Sequence, residues 1–165
     1  MTITVEDGTI VANADSYQSV AGADAYFTEH GDPSTWSDAT TAAKEGALKY
    51  ATRWLDNNHT WYSCIISTSQ VLGHPRAAFT DTEGRSIAGP NTMATALLEA
   101  TAEMANEHLQ TAVNESVGNK RRERIGSSEV EYTGGGATRS YAYIYGIVSE
   151  LGRKKSAGRR IRKGG

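Results

Sequence analysis

The sequence predicts a mainly α-helical protein, a small helical bundle with a short β-strand or hairpin element and an extended C-terminal arm. Several stretches place apolar residues at the helical period between capping and stop signals, and only short segments alternate as strands do. Leu, Ile, Val and Phe make up only 26 of the 165 residues. Much of the core is therefore expected to be alanine, which buries little area. We expect an obligate oligomer in which neighbouring subunits complete the burial.

The first part of the chain predicts two helices after a short strand or extended arm at residues 1–14. The first helix begins after Ser16 or Ser19 and stops at Gly31, because glycine readily adopts the left-handed conformation that ends helices. The second helix runs to about Asn57. Its start has three competing N-cap residues, which are Ser37, Asp38 and Thr40.

A third helix, from about Pro90, has the most regular pattern. Its apolar positions recur with a period near 3.6 residues, and they are Met93, Leu97, Ala100, Met104 and Leu109. An acidic ladder at i, i+4 spacing lies on the same segment, formed by Glu99, Glu103 and Glu107. Because like charges at this spacing repel, the ladder indicates either a solvated face or a face turned toward a basic partner.

The chain changes character after Gly118. A basic turn, a strand at 125–132 and a glycine hinge at 134–136 are predicted first. A short helix follows, because apolar residues stand at i, i+3, i+4 and i+7, namely Ile144, Ile147, Val148 and Leu151.

Charge divides the chain in a similar way to these elements. The predicted organisation is a helical core, a turn–strand–hinge segment and a C-terminal arm with a basic tail, at 1–117, 118–136 and 137–165. Residues 1–119 carry 5 Lys and Arg against 15 Asp and Glu, whereas residues 120–165 carry 12 against 4. An acidic body with a basic end favours binding of the tail to nucleic acid, to an acidic protein surface or to a neighbouring subunit.

The segment at 73–91 could be a catalytic loop or a structural turn. Its sequence is GHPRAAFTDTEGRSIAGPN. Asp81 and Glu83 are candidates for an acid–base pair, which would have to share a cleft. A turn accounts for them more simply, because Asp81 can accept hydrogen bonds from its own backbone and Gly84 can supply a positive φ. We therefore predict a structural elbow, formed by Pro75, Arg76, Asp81, Gly84 and Pro90.

Other catalytic and metal-binding patterns are missing from the sequence. It has no phosphate-binding loop and no nucleophile elbow. His59 with Cys64 is the one close His/Cys pair, and two more zinc ligands are lacking. The lone cysteine is expected to be a small buried side chain. We expect no cofactor, no metal, no enzymatic activity and no membrane span, in a protein made in the cytosol.

The order of the motifs resembles a family of tailed-phage head–tail connector (neck adaptor) proteins. The resemblance covers roughly residues 6–132. Its motifs are EDGTIVANADSYQSVAGADAYFTEHG, KEGALKYATRWLD, HPRAAFTDTEGRSI, a Pro-initiated helix and RIGSSEVEY. His74 departs from the family pattern, which tends to have Trp there, and the C-terminal third matches less well. Some members of that family are labelled DnaT-like single-stranded-DNA-binding proteins.

The resemblance implies a structural role for residues 1–117 as a helical adaptor core. It implies a dodecameric ring between the portal protein and a tail or stopper protein, in the virion neck, assembled in the host cytoplasm. Double-stranded DNA would pass through the ring without sequence-specific contacts.

The C-terminal arm is the predicted portal-binding element on this interpretation. Its apolar and aromatic anchor would be Tyr141, Tyr143, Ile144, Tyr145, Ile147, Val148 and Leu151. Its basic end would be Arg153, Lys154, Lys155, Arg159, Arg160, Arg162 and Lys163.

The alternative function is a single-stranded-DNA-binding, primosome-like replication protein. Such a protein needs aromatic side chains interleaved with basic ones. In the sequence the tyrosines at 141–145 lie near the basic residues but not among them.

Overall fold

The mainly helical class is confirmed by the structure, a computed structural model. The residues that it describes are 2–77, 79–81, 83–88, 91–116, 122–125, 128–131 and 141–155. The helices are α1 (Val20–His30), α2 (Ser34–Ser37), α3 (Thr41–Asn58), α4 (Thr95–Ser116) and α5 (Ala142–Ile147). The strands are β1 (His59–Trp61), β2 (Phe79–Thr80), β3 (Ser86–Ala88), β4 (Arg122–Ile125), β5 (Ser128–Glu131) and β6 (Gly152–Lys154). They pair antiparallel as β1 with β6, β2 with β3 and β4 with β5.

Among the competing caps that the sequence offered, Ser19 begins α1 and Thr40 begins α3. The Ser19 hydroxyl accepts a hydrogen bond of 2.9 Å from the Gly22 amide, and Thr40 accepts one of 3.3 Å from the Ala43 amide. Gly31 ends α1 with a φ of 115°. Before α1 the N-terminal segment makes an isolated bridge between Val5 and Ser16.

Two helix predictions need correction. The single turn α2 was not predicted, because four residues are too few to show a period; burial of Trp36 against Phe27, with ring centroids 5.2 Å apart, holds it in place. The third predicted helix begins at Thr95 and not near Pro90. Asn91 has a φ of 62°, which a right-handed helix cannot contain.

The core lies where α3 packs along α4, with α1, α2 and α5 also against α4. Its helix contacts are rich in alanine, as the composition predicts. The buried alanines are Ala14, Ala23, Ala47, Ala51, Ala94, Ala100, Ala102 and Ala105. Larger buried side chains between them include Tyr17, Trp36, Leu48, Leu55, Leu97 and Met104. Small residues let the helix backbones approach closely, and aromatic rings supply much of the remaining buried volume.

The predicted short helix near the C-terminus is confirmed as α5. Ile144, Val148 and Leu151 are buried in the same cluster as the α3 and α4 residues. Strand β6 then pairs with β1, directly after α3. Residues 141–155 therefore pack into the same core as α3 and α4, while 137–140 and 156–165 lie outside the described residues.

The predicted strand at 125–132 is half of an antiparallel hairpin. Strand β5 falls inside it, and β4 occupies residues that were predicted as a basic turn. The register pairs Arg122 with Glu131 and Ile125 with Ser128. Strand pairing outweighed the polar composition of β4, which carries no alternating apolar pattern of its own.

The connection from β1 to α4 contains the predicted elbow. Asp81 lies in the β2–β3 turn, where its Oδ1 accepts from the Glu83 amide at 2.9 Å and the Arg85 amide at 2.8 Å. Gly84 in the same turn has a φ of 83°. Before the hairpin, the peptide bond between His74 and Pro75 is cis, and Arg76 Nε donates to the Gly73 carbonyl at 2.8 Å. Pro90 lies outside the described residues.

The carboxylate of Asp56, near the end of α3, joins four parts of the chain. Its Oδ1 accepts from the Tyr17 hydroxyl at 2.6 Å and from Trp61 Nε1 at 2.9 Å. Its Oδ2 accepts from the Gly73 amide at 3.0 Å. The Tyr17 oxygen also accepts from the His74 amide at 3.1 Å. Burial, and then the nearby Asp56 charge, raise the pKa of Tyr17 well above its usual value.

None of the described helices combines the length and apolar character that crossing a membrane requires.

Replacing Asp56 with Asn should destabilise the fold strongly. Hydrogen bonds to a charged acceptor contribute about 1.5–3 kcal/mol each, and the amide offers only one oxygen to the three donors. We expect the free energy of unfolding to fall by about 3 kcal/mol, measured by urea denaturation. Asp38→Asn, at an exposed helix end, is the matched control and should change it by less than about 0.5 kcal/mol. Equal effects of the two changes would contradict a central role for Asp56.

Candidate functional site

The β1–β6 pair brings the most basic described segment against the end of α3. Thr60 lies opposite Arg153, and His59 lies opposite Lys154. The pairing continues past both strands, because the Tyr62 amide donates to the Leu151 carbonyl at 2.9 Å. The Lys155 amide likewise donates to the Asn58 carbonyl at 2.7 Å. We call residues 59–62 and 152–155 together the basic ribbon.

Gly152 makes this close pairing possible. A Cβ atom at this position would lie 2.8 Å from Cε3 of the Trp61 ring and 2.9 Å from the Thr60 carbonyl oxygen. Any larger residue would push the Trp61 ring or the neighbouring strand away. The glycine therefore lets the indole ring lie over β6, where Asp56 holds its Nε1.

An aromatic cluster packs beside the basic ribbon. Its members come from α3, β1 and the region of α5, and they are Trp54, His59, Trp61, Tyr141 and Tyr145. The rings of His59 and Trp61 are stacked at 4.9 Å, and Tyr145 lies 5.0 Å from His59. Lys154 Nζ stands 4.7 Å from the centre of the Tyr145 ring, within the range of a cation–π contact.

Three consecutive exposed cations define the charge of this surface: Arg153, Lys154 and Lys155. Lys155 Nζ donates to the Asp56 carbonyl at 2.8 Å, which positions its ammonium group at the end of α3. Tyr62, on the opposite strand of the basic ribbon, is 45% exposed. The surface can thus offer cations to phosphates and an open tyrosine ring to a flat ligand.

The residue pattern alone did not show that β1 and β6, which lie far apart in sequence, pair with each other. Several residues separate the tyrosines at 141–145 from the basic residues at 153–155. In the structure, Lys154 of β6 nevertheless lies over the Tyr145 ring of α5. Trp54, His59 and Tyr62 were not predicted as site residues. The alternation of buried His59 and Trp61 with exposed Thr60 is a strand signal that could have been recognised.

The predicted anchor for an outside partner needs correction in part. Ile144, Val148 and Leu151 are buried in the chain's own core, so they are not available to a second protein. Ile147 is partly buried against that core, and Tyr141 packs on Trp54. Tyr143 is the exception, with 65% of its surface exposed. Arg159, Arg160, Arg162 and Lys163 lie outside the described residues.

The acidic ladder of α4 is partly used inside the chain. Glu103 accepts a hydrogen bond of 2.8 Å from the Tyr26 hydroxyl. Burial and then this carboxylate raise the pKa of Tyr26. All three ladder residues are half-buried, so the face is only partly solvated, and the contact of Glu103 with Tyr26 joins it to α1. The alternative of a face turned toward a basic partner stays a prediction.

The buried histidines near the site are neutral. Burial, followed by the Arg76 charge, lowers the pKa of His74 to about 3. Burial also lowers the pKa of His59. His59 Nδ1 lies 3.0 Å from the Leu55 carbonyl oxygen, which can only accept, so Nδ1 carries the proton. The positive charge of the surface therefore comes from lysine and arginine.

The described residues offer no metal site, and the lone cysteine lies at the surface. Among the described residues, no group of three or more His, Cys, Asp and Glu side chains is placed to hold a metal ion. Cys64 is exposed, so the expectation of a buried thiol is wrong; it lies in the irregular segment that follows β1, outside the helical core. The expected lack of enzymatic activity stays a prediction.

A family model described as "Putative DnaT-like ssDNA binding protein" matches residues 1–164. The chain belongs to this DnaT-like family. No curated protein and no solved structure matches the chain significantly.

Membership in the DnaT-like family corrects the predicted function. The match supports single-stranded DNA binding, which was the alternative, and not a structural head–tail connector. The predicted portal, stopper and ring partners and the passage of double-stranded DNA are corrected with it, because they depended on the connector resemblance alone. No finding tests the expected location in the virion neck.

The buried His74 predicts a loss of stability in acid. Its folded pKa lies below the unfolded value of about 6.5, so below that pH the unfolded chain binds a proton that the folded chain does not. The free energy of unfolding should fall by up to about 1.4 kcal/mol for each pH unit from pH 6.5 toward 3.

His74→Phe should remove this contribution while keeping a ring beside Tyr17 and Trp61. We expect a smaller difference in melting temperature between pH 7.5 and pH 5 for this variant than for the wild type. His30→Phe, at an exposed position, is the control and should leave the difference unchanged. The same acid sensitivity in His74→Phe and wild type would contradict the assignment to His74.

Proposed function

We propose that the protein binds single-stranded DNA along the basic ribbon. The observation that carries this proposal is the contact between Lys154 Nζ and the Tyr145 ring at 4.7 Å, beside exposed Arg153 and Lys155. It places cations among aromatic side chains, which is the combination that proteins use for single strands. The match to the DnaT-like family supports the same function.

The three cations of β6 and its end would contact the phosphates. Successive side chains of a strand point to opposite faces, so Arg153 and Lys155 lie on the face that carries Thr60, and Lys154 lies on the face toward Tyr145. Their long side chains can reach phosphates that run along the strand from either face. The rest of the described surface favours this position as well. Residues 1–119 are strongly acidic, and their charge repels phosphate elsewhere on the molecule.

Tyr62 would supply the stacking surface. Its side chain is 45% exposed, while its backbone is held by the hydrogen bond to Leu151. A tyrosine on a held backbone has few rotatable bonds of its own, so it loses little freedom when a base stacks on it. Stacking accepts any base, so we expect weak sequence preference. A duplex keeps its base faces covered, and therefore should bind more weakly than a single strand.

Removing the ribbon charges should weaken binding and reduce its dependence on salt. For single strands, the slope of log K against log salt changes by about 0.7 for each phosphate contact. Changing Arg153, Lys154 and Lys155 together to Gln should therefore reduce the slope by up to about 2. Fluorescence anisotropy with labelled oligo(dT) over a salt series measures this.

The control for the triple variant is Arg85→Gln, at the exposed β2–β3 turn. It should leave affinity and slope nearly unchanged. A triple variant that binds like the wild type would move the interface away from the basic ribbon. A wild-type protein that fails to bind oligo(dT) at low salt would overturn the function itself.

Tyr62→Ala should reduce affinity for single strands through lost stacking. Aromatic stacking contributes about 1–3 kcal/mol per base, which corresponds to roughly 5- to 150-fold in affinity. Tyr62→Phe keeps the ring and should bind within about twofold of the wild type. Tyr50 is also exposed but lies on α3, away from the ribbon, so Tyr50→Ala is the matched control. Unchanged binding by Tyr62→Ala would exclude Tyr62 as a stacking residue.

A further inference from the structure

A cleft of about 530 Å³ opens at the Lys155 end of the basic ribbon. It lies between the end of α3, strand β1 and the segment at 71–76. Its lining includes Asp56, Trp61, Val71, Leu72, Arg76 and Lys155. Clefts of this volume hold ligands of the size of a nucleotide.

Two cations line the cleft. Arg76 is held in place by backbone carbonyls, since Nε donates to Gly73 at 2.8 Å and Nη1 donates to Ser63 at 2.7 Å. It forms no salt bridge with a described carboxylate. Lys155 is shared between the cleft and the ribbon. A fixed guanidinium and a neighbouring ammonium are the groups that bind phosphate.

The carboxylate in the cleft does not cancel this charge. Asp56 accepts from Tyr17, Trp61 and Gly73, so both of its oxygens are already engaged. The lining carries two cations against this one carboxylate, which leaves a net positive charge.

The cleft also has an apolar part. Val71 is 63% exposed, and Leu72 beside it is partly buried. An exposed branched side chain in a cleft gains from covering by a flat apolar ligand. The cleft thus pairs an anion-binding side with an apolar side, whereas a simple phosphate site would need only the first.

We infer that this cleft binds one nucleotide of the DNA strand, with its phosphate at Arg76 and Lys155 and its base against Val71 and Leu72. The inference rests on the proposed function, because Lys155 joins the cleft to the ribbon. Arg153 lies opposite Thr60, which lines the cleft together with Lys155, so a DNA strand that contacts both cations on this face of β6 reaches the cleft.

Titration calorimetry of the full chain with thymidine 5′-monophosphate, thymidine and inorganic phosphate tests the inference. The nucleotide should bind at least about tenfold more tightly than either thymidine or phosphate, because only it meets both sides of the cleft. Equal binding of phosphate and the nucleotide would reveal an anion site and overturn the inference.

Charge changes at Val71 test the position without disturbing the fold, since the side chain is mostly exposed. Two unit charges about 4 Å apart in water interact by about 1 kcal/mol, or roughly fivefold in affinity, and a charge at Val71, on the base side of the cleft, acts on the phosphate from farther away. Val71→Glu should weaken nucleotide binding by up to about this factor, and Val71→Lys should strengthen it. Thr35→Glu, on α2, which contributes no residue to the cleft, is the control for net charge.

The two proposals fail in different ways. If the triple ribbon variant loses oligo(dT) binding while both Val71 variants bind the nucleotide and oligo(dT) like the wild type, the cleft inference is wrong and the function stands. If the Val71 variants shift nucleotide binding in opposite directions but the wild type does not bind oligo(dT), the cleft binds a nucleotide and the proposed function is wrong.

Discussion

The carboxylate of Asp56 is the constraint on which the rest of the structure depends. It lies near the end of α3 and accepts from Tyr17, Trp61 and the Gly73 backbone, so it fixes the segment before α1, strand β1 and the connection to the β2–β3 hairpin around one helix end. The alanine-rich contact of α3 with α4 brings helices together but gives few directional restraints. A charged acceptor with three donors specifies one arrangement, because any other would leave a buried polar group without a partner.

The geometry of the candidate interface follows from this point. Asp56 holds the Trp61 indole in one orientation, and the absence of a side chain at Gly152 lets β6 pass beneath that ring. The register of β1 with β6 then sets Lys154 opposite His59 and over Tyr145. The backbone of β6 is thus positioned by a partly buried hydrogen-bond system, and Lys154 and Lys155 add contacts of their own with Tyr145 and the Asp56 carbonyl. Rigid support of this kind reduces the ordering cost of binding a flexible strand.

Burial also determines which groups carry charge at this surface. His59 and His74 lie within the aromatic cluster and next to it, yet burial lowers the pKa of both, so neither adds positive charge at neutral pH. Arg153, Lys154 and Lys155 stay exposed, where hydration keeps them charged. The ribbon therefore keeps its positive charge next to a body whose sequence is acidic, and this contrast would direct a strand to the ribbon and the adjoining cleft.

The sequence by itself determined the helical class, the capped starts of α1 and α3, the alanine-rich core and the turn at Asp81 and Gly84, because each of these depends on residues within a few positions of one another. The short helix α5 was predicted from its own period. The burial of Ile144, Val148 and Leu151 in the chain's own core was not predicted. Only the tertiary structure decided that β6 pairs with β1, that Tyr145 meets Lys154 and that Arg76 and Lys155 share a cleft. These contacts join residues up to about a hundred positions apart, and no local pattern encodes which strand a short basic segment will choose as its partner.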